Sequence, residues 1–278
     1  MDLPVLIAFD FDHTIVDDNT DFVVRDLLPK DQLTDEVQNL YRTDGWTLYM
    51  NKIFELLHQN SIGLQEIEAS IINISPSPGF DVLLKLLHSL GYEIIIISDS
   101  NSLLIDMWLK SRKLDNLITK VFTNPAHISD DGMIKIKMYH VQDFCELSMI
   151  NLCKGHILEN YIKERLEAGI HFKRIAYVGD GKNDVCPVLR LSENDLAFPR
   201  MNYPLLKKLF EYRNNETRKV KATIIPWSKG NFHPQAMVSA CSRGKPFFLL
   251  LDNPDLNSYY ITFCIRFYVL KVKYANYQ

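Results

Sequence analysis

A short apolar segment near the start of the chain ends in two aspartates that flank one phenylalanine. The segment Val5-Leu6-Ile7-Ala8-Phe9 is followed directly by Asp10-Phe11-Asp12. Such a run is typical of a strand buried on both faces of a parallel sheet. Because alternate residues of a strand point the same way, Asp10 and Asp12 can project together past its carboxyl end, where open α/β sheets bind ligands. The feature predicts an α/β fold with a site at that edge.

Two carboxylates this close repel each other unless a cation or a shared proton offsets their charge. Mg²⁺ is the hard, oxygen-seeking cation that commonly arrives with a phosphate group. We therefore predict phosphoryl transfer, with Asp10 as the nucleophile and Asp12 as the proton carrier.

Later segments offer the cationic and hydrogen-bonding partners that a transferring phosphoryl group needs. Ser98 follows the apolar run that begins at Tyr92, and Lys154 opens an amphipathic helix. A further short strand, Arg174 to Val178, leads into a turn that contains Asp180. Read singly, Ser98 is a helix cap, Lys154 a solvated lysine, and the turn a plain connection. Together they indicate one site.

In their order along the chain, these segments resemble the motifs of the haloacid dehalogenase-like phosphatases. The motif segments are Asp10-Phe11-Asp12-His13-Thr14, Ser98, Lys154 and Gly179-Asp180-Gly181-Lys182-Asn183-Asp184. Further segments resemble the branch of phosphoethanolamine/phosphocholine phosphatase and pyridoxal phosphate phosphatase, with the latter the more similar. They are Asp17-Asp18-Asn19, Ile95 to Asn101, Val121 to Pro125 and Gly179 to Pro187. The resemblance ends at about Ser242.

The resemblance implies a Rossmann-like parallel sheet with a helical cap inserted after the first strand. It makes Asp10 the nucleophile and Asp12 the general acid/base, with Ser98 and Lys154 holding the transferring phosphoryl group. It also implies that Mg²⁺ is held by the Asp10 carboxylate, the Asp12 backbone carbonyl and Asp180.

For the substrate, the resemblance assigns binding roles to Asp21 and Asp99. It favours pyridoxal 5′-phosphate, with phosphoethanolamine or phosphocholine as the alternative. One departure is Lys182, where the related turn often has glycine. His13 has no chemical role by this resemblance, and we expect it to make a solvent or backbone contact.

The order of predicted elements divides the chain into three parts. Residues 1–16 and 79–242 form the α/β phosphatase core, and residues 17–78, which show only helical patterns, form the cap. A breaker cluster, Ser75 to Gly79, suits a hinge. Residues 243–278 are an atypical C-terminal extension whose apolar runs are too short to span a bilayer.

Composition fits a soluble enzyme and excludes several classes. The net charge of −3 gives no basic footprint for nucleic acid, no run of ~18 apolar residues predicts a membrane span, and no protein partner is indicated. The five cysteines show no zinc-knuckle or C-x-x-C spacing, so we expect unpaired thiols. No signal peptide precedes the first strand, which predicts a cytoplasmic location.

Two other classes remain open. A phospho-receiver module also uses a strand-end aspartate with acids and a lysine, but it is shorter and lacks a helical cap. An inactive phosphatase-like scaffold would retain the fold, although the intact motif acids argue against it. A phosphatase assay separates all three.

Overall fold

The computed structural model describes residues 4–42, 45–213 and 218–243. Its strands are β1 (Val5–Phe9), β2 (Glu93–Asn101), β3 (Lys120–Asn124), β4 (Ala126–Ile128), β5 (Ile134–Ile136), β6 (Arg174–Gly179), β7 (Leu196–Pro199) and β8 (Thr223–Ile224). Its α-helices are α1 (Thr20–Arg25), α2 (Asp35–Gln38), α3 (Trp46–Gln59), α4 (Leu64–Ile72), α5 (Phe80–Ser89), α6 (Ser102–Ser111), α7 (Lys154–Glu167), α8 (Val185–Leu189), α9 (Pro204–Arg213) and α10 (Pro234–Arg243).

Within those residues, six strands form one parallel sheet in the order β3-β2-β1-β6-β7-β8. Strand β1 lies between β2 and β6, so the chain leaves the sheet centre in both directions. In such doubly wound sheets, ligands bind where the strand order reverses, at the carboxyl ends. The predicted α/β fold is confirmed, and Asp10 stands at that point.

The sheet is buried on both faces, which explains the unbroken apolar run in β1. Val5, Ile7 and Phe9 pack in a core with helices α5, α6 and α10, while Leu6 and Ala8 pack in a second core with α7, α8 and α9. A strand with side chains alternating between two apolar layers carries no polar face. Acidic side chains can therefore be accommodated only at the end of β1.

The predicted cap segment, residues 17–78, contains α1 to α4 and no strand of the sheet among its described residues. Its two connections to the sheet run side by side: Val16 and Pro76 form an antiparallel bridge, and Ser77 N donates to Ile15 O at 2.8 Å. The segment packs on α6, where the Trp108 indole donates to Ile74 O at 2.9 Å. Its treatment as a separate domain stays a prediction.

Two local features refine the sequence reading. Strand β2 continues to Asn101 rather than ending at Ile97, with a register shift between these residues where it pairs with β3. The chain on either side of Gly132 forms an antiparallel hairpin of β4 and β5. The C-terminal extension lies outside the described residues from position 244 onward. In the part that is described, no helix is long and apolar enough to cross a membrane.

Candidate active site

Asp10 lies where β1 and β6 end side by side. The register pairs Phe9 with Val178, and Asp10 N donates to Val178 O at 2.9 Å. One carboxylate oxygen of Asp10 accepts from Phe11 N at 2.7 Å, and the other lies 2.7 Å from Lys154 Nζ. Burial and the nearby Asp184 carboxylate raise the pKa of Asp10 well above its usual range, while Lys154 opposes them. The carboxylate is thus fixed in direction at a buried sheet edge.

Asp12 is oriented by the helix that follows it. Its carboxylate accepts from Thr20 N at 2.9 Å and from Thr20 Oγ1 at 3.2 Å, and Thr20 Oγ1 in turn lies 2.7 Å from Ser100 Oγ. Burial raises the pKa of Asp12 to about 6, against the lowering effect of the Thr20 hydrogen bonds. A carboxyl group with such a pKa can both give and take a proton near neutral pH.

Lys154, the first residue of α7, is an ammonium group buried between carboxylates. Its Nζ lies 2.7 Å from Asp10 and 2.9 Å from Asp184, and its side chain is 1% exposed. Burial alone would lower the pKa of Lys154, but Asp10, Asp184 and Asp99 raise it above its ordinary value. The lysine is therefore a fixed positive charge.

Asp184 organises the turn after β6. One of its oxygens accepts from Lys154 Nζ and from Tyr177 OH at 2.7 Å, and the other accepts from the backbone N–H groups of Asp180 and Gly181, both at 2.9 Å. A Cβ atom at Gly179 would overlap the Asp184 carboxylate. Glycine is needed at 179 because this side chain fills the space.

Asp180 accepts fewer hydrogen bonds than Asp184, the other acid of this turn. Among the described residues, its carboxylate has one hydrogen-bond donor, Thr14 Oγ1, at 3.4 Å. Burial, and next the charge of Asp184, raise the pKa of Asp180 to about 8. Ligand oxygens of Asp10, Asp180 and Asp184 all lie within 4.8 Å of one another. Because Asp184 is already occupied by four donors, Asp10 and Asp180 are the carboxylates open to a cation.

Ser98 and Asp99 lie on the extended part of β2. Ser98 is buried, and its hydroxyl accepts from Ser100 N at 3.2 Å. The β2 irregularity is held by Asn124, whose amide donates to Asp99 O at 2.7 Å and to Ser100 O at 3.0 Å. The shift in register brings Asp99 over the sheet edge, where its carboxylate accepts from Asn183 of the turn after β6.

Asp21 is buried in the first turn of α1. Both it and Asp99 have one buried carboxylate oxygen with no hydrogen-bond partner in the described chain. Burial raises the pKa of Asp21 well above its usual range, and the charges of Asp12 and Asp99 add to this. Unpartnered buried carboxylate oxygens are costly, and Asp21 and Asp99 place two of them near the described acids.

A buried arginine, which sequence reasoning missed, locks the loop after β1. Arg200 is 2% exposed and follows β7; it donates to His13 O and lies 2.6 Å from Asp17. Lys229 also pairs with Asp17, so the Asp17 carboxylate has a structural role in holding these two basic residues. His13 has a φ of 53°, and its N–H donates to Asp18 O at 3.0 Å. These contacts are made by the His13 backbone; its imidazole Nδ1 is buried and has no hydrogen-bond partner among the described residues, and the expected solvent or backbone contact of the side chain is not seen at that atom.

Comparison with known proteins identifies the family. The model of the family described as "Putative Phosphatase" matches residues 5–240. The chain belongs to this phosphatase family. Family membership makes it a phosphatase, and it confirms the sequence resemblance.

Curated relatives of the phosphatase cover most of its length. Pyridoxal phosphate phosphatase PHOSPHO2 of Bos taurus is 35% identical over 230 residues, which are 82% of this chain and 95% of the relative. Phosphoethanolamine/phosphocholine phosphatase of Homo sapiens is 32% identical over 241 residues, 85% of this chain and 90% of the relative.

Solved structures share the fold of the phosphatase. A substrate-bound phosphoserine phosphatase superposes with a TM-score of 0.53 at 20% identity, covering 81% of this chain and 94% of that one. A phospho-aspartyl intermediate analogue of phosphoserine phosphatase gives 0.53 at 22% identity, covering 80% and 93%. The chain therefore shares the α/β fold of these phosphoserine phosphatase structures.

Proposed function

We propose that this phosphatase hydrolyses a small phosphomonoester in a magnesium-dependent reaction that passes through an aspartyl phosphate on Asp10. The observation that carries the proposal is the fixed Asp10 carboxylate, held by Phe11 N on one side and by Lys154 on the other. A nucleophilic carboxylate needs a defined direction of attack. Asp184 is also paired with Lys154, but its two oxygens accept from four donors, whereas those of Asp10 accept only from Phe11 N and Lys154 among the described residues.

The neighbouring residues take the remaining roles of a phosphoryl transfer. Lys154 supplies positive charge beside the group being transferred, and the Ser98 hydroxyl, on the extended part of β2, donates to that group. Asp12 protonates the departing oxygen and then takes a proton from the attacking water, as its pKa of about 6 allows. Asp184 positions Lys154 and the Asp180 turn rather than contacting substrate.

The residues fit a magnesium ion. Among the described residues, the buried carboxylates at this edge outnumber the one buried ammonium, and the raised pKa values of Asp10 and Asp180 follow first from burial and then from the charge of Asp184. Asp10, Asp180 and the Asp12 backbone carbonyl would hold the ion, which is an all-oxygen set of the kind Mg²⁺ prefers. When bound, Mg²⁺ supplies neutralisation of the charge on the phosphoryl oxygens.

The helical segment 17–78 acts as the cap in this proposal. Its two connections form the antiparallel bridge at Val16 and Pro76, directly after the loop that carries Asp12. A cap over the nucleophile would exclude bulk water while the leaving group departs. The aromatic side chains of Tyr41, Trp46 and Tyr49 pack on one another; Trp46 and Tyr49 are buried and serve the interior of the cap, whereas Tyr41 is exposed.

We further propose pyridoxal 5′-phosphate as the substrate. Asp21 and Asp99 each offer an unpartnered carboxylate oxygen on the cap side and the sheet side of the site, which favours a leaving group that carries a donor or a cation. The relatives support the choice: pyridoxal phosphate phosphatases are 35% identical and phosphoethanolamine/phosphocholine phosphatase is 32% identical. The ammonium of phosphoethanolamine would satisfy the same acids and is the second candidate. We further propose a cytoplasmic location, a reducing compartment in which the free thiols of the described residues would stay reduced.

A substrate panel tests the proposal. Purified protein with Mg²⁺ is assayed for phosphate release from pyridoxal 5′-phosphate, phosphoethanolamine, phosphocholine and p-nitrophenyl phosphate. We expect the highest kcat/KM for pyridoxal 5′-phosphate. Turnover of none of these compounds would favour an inactive scaffold, and a preference for phosphoethanolamine would keep the mechanism while replacing the substrate.

A further inference from the structure

Three cysteines that are far apart in sequence meet behind the active site. Cys145 lies between β5 and α7, Cys153 directly precedes α7, and Cys186 is in α8. Cys186 Sγ lies 3.4 Å from Cys145 Sγ and 3.7 Å from Cys153 Sγ, and the three sulfurs all fall within 4.8 Å of one another. All three thiols are free. The spacing in sequence, eight residues and then thirty-three, gave no hint of this cluster.

The separations are those of metal ligands. A tetrahedral zinc ion with Zn–S bonds of about 2.3 Å sets its sulfurs about 3.8 Å apart, whereas a disulfide requires about 2.05 Å. We propose that Cys145, Cys153 and Cys186 form a site for a soft divalent metal such as Zn²⁺, with one position open to water. The site is separate from the acids at the sheet edge, and it does not depend on the proposed function.

The surroundings suit a charged metal–thiolate group. Three thiolates and one divalent ion leave a net charge of −1, and the Arg190 guanidinium, which also pairs with Glu159, lies beside Cys186 and would reduce the cost of that charge. Ser148 Oγ is 3.4 Å from Cys145 Sγ and would donate to a thiolate there. A Cβ atom at Gly155 would overlap Cys186 Sγ and Arg190 Nε, so the glycine keeps the space clear. Cys145 is half-buried, which gives an entry path for the ion.

The cluster joins the two segments that carry the buried ion pair. Cys153 directly precedes Lys154, and Cys186 follows Asp184 by two residues; Lys154 and Asp184 are 2.9 Å apart. A metal on the thiols would fasten the start of α7 to α8 and so fix this pair. Thiolates select soft ions and carboxylates select Mg²⁺, so the two sites would not compete for one metal.

Cobalt(II) provides the direct test on the full-length, reduced protein. The titration is carried out with saturating Mg²⁺, which keeps cobalt from the acids. We expect one equivalent of Co²⁺ to give thiolate-to-cobalt charge-transfer absorption with the intense visible bands of tetrahedral cobalt, and one equivalent of Zn²⁺ to abolish both. Absence of charge-transfer absorption in the reduced protein would overturn the proposal.

Matched variants locate the ligands. Cys145→Ser, at the half-buried position, should weaken Co²⁺ binding at least ~100-fold, because even second-shell losses cost ~10–100-fold. Cys241→Ser removes a buried thiol outside the cluster, and Cys264→Ser one outside the described residues; both should bind as the wild type does. Equal binding in Cys145→Ser would refute the site.

Two further measurements exclude misfolding of a variant and oxidation of the thiols as explanations of the result. X-ray absorption on the zinc-loaded wild type should give three sulfur neighbours at about 2.3 Å, and this readout needs no variant. Thiol counting on protein purified without reductant should find the cluster reduced. A disulfide within the cluster, together with fewer than three sulfur neighbours after reduction and zinc loading, would contradict the proposal.

Discussion

The Lys154 ammonium lies 2.7 Å from the Asp10 carboxylate, and both groups are almost fully buried. Removing one partner of a buried pair usually costs about 3–5 kcal/mol, because the other charge is left uncompensated. Here the loss of Asp10 would be softened, since Lys154 keeps Asp184 at 2.9 Å. The second carboxylate therefore allows the nucleophile to be tested without losing the fold.

Asp10→Asn should abolish turnover while the protein stays folded. An amide cannot form the acyl phosphate, and Lys154 remains paired with Asp184. Phosphate release and the melting temperature by circular dichroism are the two measurements. Turnover near the wild-type rate would end the assignment of Asp10 as the nucleophile.

Asp12→Asn should slow turnover by roughly 10²–10⁴-fold, the usual contribution of general acid–base catalysis. Since p-nitrophenolate leaves without a proton, the phosphoenzyme should still form from p-nitrophenyl phosphate and should accumulate, as detected by acid quenching. Asp18→Asn, at an exposed position of the same loop, is the control and should behave as the wild type. An unchanged rate in Asp12→Asn would exclude its role as proton carrier.

Asp184→Asn should lower kcat by ~10–100-fold and weaken Mg²⁺ activation, because the loss of a supporting shell commonly has that effect. The asparagine NH₂ group would face either the Lys154 and Tyr177 donors or the two backbone N–H groups, where it cannot accept. Tyr177→Phe removes only one of four donors and should cost far less. If the two variants lose activity equally, Asp184 does not act by positioning Lys154 and the metal turn.

The sequence predicted the sheet and its edge well because β1 is apolar throughout and ends in acids. A strand that is apolar on both faces must lie in the interior of the sheet, and the acids that follow it must lie at the sheet edge. The order of motifs likewise located Ser98, Lys154 and Asp180. The sheet edge and these three residues could be predicted because they depend on local sequence pattern and on resemblance to a known family.

Long-range partners were beyond that reasoning. Arg200 pairs with Asp17 across 183 residues, and nothing local distinguishes it from a surface arginine. The β2 extension to Asn101 depends on hydrogen bonds from Asn124, which no periodicity reveals. Asp184 stood in a quoted motif, and three of its four donors are local, but no local pattern reveals its pairing with Lys154, thirty residues earlier in the chain.

Magnesium should stabilise the protein more at about pH 8 than at about pH 5. In the metal-free fold, the pKa of Asp180 is raised to about 8. Between the ordinary carboxyl pKa and that value, Asp180 carries a proton in the folded state but is ionised in the unfolded state. Stability is then lost as the pH rises through that window, because a charge forms on an acid that is buried and lies near Asp184. Bound Mg²⁺ would compensate that charge. Lys154 stays protonated in both states and adds no slope.

The measurement is the melting temperature with and without Mg²⁺ at both pH values. Asp180→Asn should raise the metal-free melting temperature at the higher pH and should abolish most of the response to Mg²⁺. A magnesium-induced shift of equal size at both pH values, or an unaltered response in Asp180→Asn, would show that the buried acids do not form the metal site.

The final prediction concerns the acids that we assign to the leaving group. Asp21→Asn and Asp99→Asn should each lower kcat/KM for the preferred substrate far more than for p-nitrophenyl phosphate, which lacks a partner group. A hydrogen bond to a charged group is worth about 1.5–3 kcal/mol, or roughly one to two decades in specificity. Asp26→Asn, an exposed acid at the end of the same helix α1, should leave both substrates unaffected. If the two variants lose equally on both substrates, the acids serve catalysis or architecture, and the substrate assignment returns to an unspecified phosphomonoester.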